Sequence, residues 1–352
     1  MSQNQNERYE AELKRYKFAL IILITVLFVV IFAFASMIGD IGNREQAPET
    51  TVTTVAPPVT EPPVIRIESM ISDTKSGTLI VVNNSNLYTL TDESSLVELK
   101  DNAYFRRPLN GMKLLQITVD KLTEVFSVYA TDMAAEKERY IPYINIAYRD
   151  YATQEHNYNK AGADKTITAV PGGSDLHTGY SFALRFIKDG VSGPYQLNSL
   201  PMIEEWIRVN MPKYGFIERY PASGNTDFKG TSIVGYGFYR YVGLPHSLYI
   251  DKNKISLEDY VSLLKTKYSI DDNPDFELDE LLAIDTEDAT YFVLYVSAEN
   301  EKAKFSIPEE SKIHSFSGDN MGGFIVTLAL DAPAEAEIGD GSEHSPTVIP
   351  EE

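Results

Sequence analysis

Hydrolysis and ligand capture need lone pairs, transferable protons or fixed charge, and this chain supplies them sparingly. Its 352 residues include five histidines and no cysteine. A thiolate nucleophile, a thiolate metal site and a disulfide scaffold are therefore excluded together. One pairing of a histidine with a carboxylate is Asp175 and His177, on either side of Leu176. A catalytic zinc needs three protein ligands and an open position for water. Neither His156 nor His246 stands at a spacing that completes such a set. The turn Ser317-Gly318-Asp319-Asn320 reads as ordinary turn chemistry rather than a calcium loop. Fixed positive charge is the stronger resource. An arginine guanidinium can clamp a carboxylate or carbonyl without any metal. The chain as a whole is acidic, with 51 Asp and Glu against 31 Lys and Arg and a net charge of −20. It offers no broad cationic face to phosphates, so nucleic acid is excluded as a partner.

These side chains must be placed by a folded middle, because both ends of the chain read as something else. Phe18 to Ile38 is an uncharged apolar run. At about 1.5 Å per residue it covers the roughly 30 Å of a bilayer core. Arg8, Lys14, Arg15 and Lys17 precede it, and Arg44 is the one basic residue soon after it. The positive-inside bias then puts residues 1–17 in the cytoplasm, a transmembrane helix at 18–38 and the rest outside the cell. A signal peptide cleaved after Ala35 is the rival reading. Residues 39–63 are rich in proline and threonine and read as an extended stalk. Residues 331–352 carry only acidic charges and read as a disordered tail.

Between them, local periodicity marks the elements. Thr78 to Asn83 (TLIVVN) suits a buried strand. Leu115, Val119, Leu122, Phe126, Tyr129 and Met133 share one helical face. A strand is expected at 143–148, a helix from AYRDYATQ, and a strand over 180–187. Pro201 opens a helix to about Met211. Aromatic strands follow at 216–220 and 236–242, and Ser256 caps a helix through Lys267. Strands at 290–296 and 323–330 suggest a small β module over 271–330, behind a main domain over 64–270. The fold class is α+β.

Three stretches give the middle a likeness. AYRDYATQ at 147–154, PGGSDLHTGYSFAL at 171–184, and EWIRVNMPKYGFIERYP at 205–221 with GYGFYRYVGLPH at 235–246 resemble, in order, the segments of the VanY-type D-alanyl-D-alanine carboxypeptidases. The resemblance implies a central antiparallel sheet flanked by helices. It also implies a zinc peptidase of the bacterial cell wall, in which zinc activates water and polarises the scissile carbonyl while a Glu acts as base. The same resemblance locates the machinery. The three zinc-ligand positions fall on Leu176, Ala183 and Phe238, and the base falls on Gly235. None of these side chains offers a lone pair. Arg149, Gln154, Ser174, Arg219 and Arg240 remain as candidate ligand-binding residues. The expectation is a membrane-anchored, extracellular family member without zinc or other cofactor. It would bind peptidoglycan stem peptides or a cell-wall enzyme without cutting, with Leu176 and Phe238 partly closing the former metal cavity. Two alternatives stand beside it. One is an active carboxypeptidase using a rearranged site at His177 and Asp175. The other is a scaffold that binds partners through the β module.

Overall fold

The computed structural model describes residues 64–70, 74–161, 168–188, 193–220, 237–271, 276–298, 302–308, 311–330 and 347–349. The chain divides into Met1–Glu61 and Pro62–Glu352. The apolar run Phe18–Ile38, the stalk and most of the acidic tail lie outside the described residues. Among the described residues no helix is long and apolar enough to cross a membrane.

In chain order the strands are β1 (Val64–Met70), β2 (Leu96–Glu98), β3 (Lys113–Leu115), β4 (Tyr140–Ile146), β5 (Ser181–Lys188), β6 (Phe216–Glu218), β7 (Phe238–Tyr241), β8 (Leu282–Asp285), β9 (Thr290–Ser297), β10 (Lys302–Pro308), β11 (Lys312–Gly318), β12 (Gly323–Ala329) and β13 (Thr347–Ile349). The helices are α1 (Gln116–Asp132), α2 (Tyr151–Lys160), α3 (Pro201–Asn210), α4 (His246–Asn253) and α5 (Leu257–Lys267). The cap foreseen at Ser256 is present, its Oγ accepting from the Asp259 N–H at 2.9 Å, and Asp150 caps α2 as well, accepting from the Thr153 N–H at 2.6 Å. Pro201 occupies the first turn of α3, where its missing N–H costs nothing.

The central sheet runs β4-β5-β7-β6, antiparallel throughout. One core lies against it. Leu122, Val125, Phe126 and Tyr129 of α1 pack with Phe182, Leu184 and Phe186 of β5 and with Ile203 and Ile207 of α3. A second core joins the two halves expected from the sequence. Ile217 of β6, Val242, Ile250 of α4 and the α5 face of Leu257, Tyr260, Val261 and Leu264 share it with Leu282, Ile284, Val293, Tyr295 and Ile325 of the β module. The module's sheet, β11-β12-β9-β8, is therefore packed on the main domain through α5. A further sheet, β10-β1-β13, draws β1 from ahead of the main domain to the module's β10, and places Thr347–Ile349 on β1.

Residues 78–83 are the clearest departure from expectation. Leu79, Ile80, Val81 and Val82 are buried as foreseen, but they pair with no strand. Their backbone groups are met by side chains and by a turn. Arg240 Nη2 donates to Thr78 O at 2.9 Å and Ile80 O at 3.3 Å, and Arg219 Nη2 donates to Val82 O at 3.3 Å. On the other edge Leu79 N donates to Ser317 Oγ at 2.8 Å and Val81 N to Asp319 O at 3.0 Å. Burial demands that these groups be satisfied, and guanidinium groups satisfy carbonyls as well as a ladder does.

Candidate functional site

The site forms where β5, β7, the start of α2 and a short 3-10 turn, Asp175–Thr178, converge. The turn closes on Gly179 at φ +74°. A Cβ there would come within 2.9 Å of Leu96 Cδ2 and 3.0 Å of Leu115 Cγ, so both backbone sign and space require glycine. Behind the turn, β5 and β7 are in register with Ala183 opposite Phe238. Leu176 and Phe238 line one cavity of about 70 Å³, together with Arg149, Gln154, Ser174 and Arg219. The Phe238 ring meets Tyr220 edge-on at 5.9 Å. Three of the four positions named by the resemblance thus present hydrocarbon, and Gly235 lies outside the described residues.

The three arginines divide sharply. Arg219 and Arg240 are 1% and 0% exposed. Arg219 grips Glu258 of α5 with both terminal nitrogens, Nη1 at 3.0 Å and Nη2 at 2.6 Å. Arg240 Nη1 donates to Asp175 Oδ1 at 3.0 Å, and its Nε donates to Tyr241 O at 3.1 Å. Ser181 Oγ donates to the other Asp175 oxygen. Arg219 Nε lies 3.2 Å from Asp175 Oδ1, a charge contact without hydrogen-bond alignment. Two guanidinium groups and two carboxylates therefore cancel inside the protein. Burial alone would raise the Asp175 carboxyl, but Arg240, Arg219 and Ser181 outweigh it and hold it below its ordinary value. Burial would likewise lower Arg219, and Glu258 and Asp175 reverse that.

Arg149 is different. It is half-buried, donates from Nη1 to Gln154 Oε1 at 2.8 Å, and has no ion-pair partner among the described residues. Burial lowers its affinity for the proton, with Asp150 opposing. Gln154 is fixed from behind, donating to Ala169 O at 2.6 Å and Thr168 Oγ1 at 3.1 Å. The Ser174 side chain caps no backbone N–H of the turn it precedes. One cation, one oriented amide and one hydroxyl therefore line the small cavity, an arrangement suited to a carboxylate.

The residues present do not fit a zinc ion. Leu176, Ala183 and Phe238 have no donor atoms. His177 is spoken for at both ring nitrogens: the Gly172 N–H donates to Nε2 at 3.1 Å, and Nδ1 meets Arg149 O at 2.6 Å. That pattern requires the proton on Nδ1 and leaves no lone pair free. Burial lowers its pKa and keeps it neutral. Asp175 is enclosed by the arginines. Among the described residues no group of three His, Cys, Asp or Glu side chains could hold a metal ion. His156 is exposed, and His246 is a core residue between Tyr260 Oη at 2.8 Å and Thr327 Oγ1 at 3.1 Å. Sequence reasoning assigned no part to Glu258 or Ser181. Nothing in their spacing marks them, because their partners come from distant segments.

A family model for VanY, D-alanyl-D-alanine carboxypeptidase, matches residues 121–244. A D-alanyl-D-alanine carboxypeptidase of Enterococcus faecium is 26% identical over 255 residues, covering 72% of this chain and 75% of the relative. The crystal structure of the vancomycin resistance D,D-dipeptidase VanXYg with a D-Ala-D-Ala phosphinate analog is similar in fold. Its TM-score is 0.59 at 23% identity, over 76% of this chain and 99% of that one. VanYB in complex with D-alanine-D-alanine matches with a TM-score of 0.40 at 24% identity, over 53% of this chain and 97% of that one. The matched segment contains β4, β5, β6, β7 and every cavity residue named above, so the part of the chain that bears the site is the part similar to the VanY D-alanyl-D-alanine carboxypeptidases.

Proposed function

We propose that this chain is a membrane-anchored, extracellular VanY-type protein that holds the C-terminal end of a peptidoglycan stem peptide without hydrolysing it. The observation that carries this reading is the cavity itself. The three positions where the family resemblance calls for zinc ligands are Leu176, Ala183 and Phe238, while Arg149, Gln154 and Ser174 remain around them. Without a metal no water is activated at this spot and no Lewis acid polarises a scissile carbonyl. A terminal carboxylate can still pair with Arg149, with Gln154 fixing the guanidinium and the Ser174 hydroxyl donating to a carboxylate oxygen. The ligand class follows the relatives, since VanXYg was solved with a D-Ala-D-Ala analog. A cavity of about 70 Å³ admits only the last small residue. One charge-assisted contact of about 1.5–3 kcal/mol, less the cost of association, implies weak binding. Anchoring rests on the apolar run Phe18–Ile38 and its basic N-terminal flank.

The test pairs metal analysis of the purified chain with a D-alanine release assay and calorimetric titration of an acyl-D-alanyl-D-alanine peptide. The expected result is no bound zinc, no release and measurable binding that disappears in Arg149→Gln. Stoichiometric zinc, or release abolished by a chelator, overturns the reading. Release abolished by His177→Ala establishes the rearranged enzyme instead. A cell-wall enzyme is the competing partner, and it replaces the peptide if the wild-type chain binds such an enzyme and no peptide.

A further inference from the structure

We propose that Glu258, beyond the segment the family model matches, is a positioning residue for the cavity, and that α5 with the β module behind it is part of the binding unit. This inference rests on the peptide-binding reading for its ligand but not for its geometry. Arg219 is a wall of the cavity. Its orientation is contested by two carboxylates, Glu258 from α5 and Asp175 from the turn beneath the cavity. Glu258 holds both terminal nitrogens at 3.0 Å and 2.6 Å. Asp175 is left with an unaligned Nε at 3.2 Å, a buried donor without a hydrogen-bond partner. The carboxylate that wins sets the rotamer, so the wall's position is decided by a residue outside the matched segment.

Glu258 is itself held from two sides. It lies in the first turn of α5, behind the Ser256 cap, and Asn83 Nδ2 donates to its Oε1 at 3.2 Å. The α5 face of Leu257, Tyr260, Val261 and Leu264 is buried against Leu282, Val293, Tyr295 and Ile325 of the β module. A chain of fixed contacts thus runs from the module's sheet through α5 to Arg219. Removing or shortening the Glu258 carboxylate frees the guanidinium to turn onto Asp175. That draws Asp175 away from Arg240 and Ser181 and moves the wall beside Tyr220 and Phe238. A rotation of this kind is an ångström-scale change at a site that works by placement.

The experiment compares Glu258→Gln and Glu258→Asp with Leu328→Ala, a substitution in the module's other core that destabilises without touching α5 or the cluster. All are studied as the full chain, well below their melting temperatures. Glu258→Asp keeps the charge and withdraws it by one methylene, so it retains the ion pair if pairing is all that matters. Two readouts are taken: the Kd of an acyl-D-alanyl-D-alanine peptide, and the side-chain Nε–H resonances of Arg219 and Arg149. Both Glu258 variants are expected to weaken the peptide about ten-fold and to move both resonances, while Leu328→Ala changes neither. Wild-type affinity and unmoved resonances in Glu258→Asp overturn the proposal, as does an equal change in Leu328→Ala. If the wild-type chain binds no peptide, the peptide-binding reading alone fails. The resonances then decide: movement of the Arg149 signal in the Glu258 variants alone supports the positioning role, and its absence refutes it.

Discussion

Arg149 and Arg219 line the same small cavity and are put to opposite uses. Arg219 is enclosed, with Glu258 on its fork and Asp175 at its Nε, and Arg240 shares that Asp175 with Ser181. Arg149 stands half-buried with an amide oxygen for company and no carboxylate ion-paired to it among the described residues. The residue type is the same, so the difference lies in counter-ions. A guanidinium whose donors are consumed by the protein holds the fold, and one with donors to spare can take a ligand. The family resemblance alone ranks these arginines together, and burial with its partners separates them.

The strongest way to break this contrast is to remove the centre of the closed cluster. Asp175→Asn leaves the buried Arg240 without a carboxylate partner and Arg219 with Glu258 alone. Breaking a buried pair in this way costs about 3–5 kcal/mol. Urea unfolding of the variant should show a loss of that order. A loss under about 1 kcal/mol would mean that water already reaches the cluster and shares its charge.

Acid sharpens the contrast by separating the cluster from the neutral polar sites. Asp175 is held below its ordinary value of 3.8, so the cluster's contribution stays in place until the pH falls below that value. His246 behaves otherwise. Burial, and then the nearby His314, push it down from 6.5 to about 3. As pH falls below 6.5 the unfolded chain takes up a proton that the folded chain refuses, so stability falls with pH. The limit is about 1.4 kcal/mol per unit, or about 2 kcal/mol between pH 6.5 and 5. His177 is lowered by burial too and adds a loss of the same sign. Thermal melts from pH 7 to 5 should show the slope, and His246→Gln should flatten most of it from a lower starting point. An unchanged slope in that variant would place the acid-sensitive group elsewhere.

What the sequence disclosed and what it withheld follow one physical division. The helices α1, α2, α3 and α5 were legible because a helical face repeats within a few residues and a cap acts on its own turn. The register of the site was legible through the family resemblance, whose ordered segments place Leu176, Ala183 and Phe238 at the ligand positions. Residues 78–83 read as a strand because burial and a strand both favour the same apolar run. The carbonyl partners that replaced the ladder come from Arg219 and Arg240, far along the chain. Asp175 read as a possible metal ligand because a carboxylate beside a histidine suggests one. Its true neighbours are set by β7 and by the segment after β6. The join between main domain and module was hidden for the same reason, since β1 pairs with β10 across most of the chain.

The smallest expected effect on stability belongs to Arg149, and it is the one that most directly tests the division of labour. Arg149→Gln removes a half-buried cation that has no ion-pair partner among the described residues, so none of their buried carboxylates is orphaned. The lost contact is the one to Gln154, whose own amide nitrogen stays anchored on Ala169 and Thr168. Urea unfolding should shift by no more than about 0.5 kcal/mol, the range of substitutions that break no buried network. Peptide binding should disappear from the same sample, because the carboxylate then meets a neutral amide in place of a cation. Arg149→Lys should recover only part of it, since a point charge lacks the planar fork that grips two oxygens. If Arg149→Gln instead destabilises the chain by the 3–5 kcal/mol expected of the closed cluster, Arg149 belongs with Arg219 and Arg240 among the groups that hold the fold.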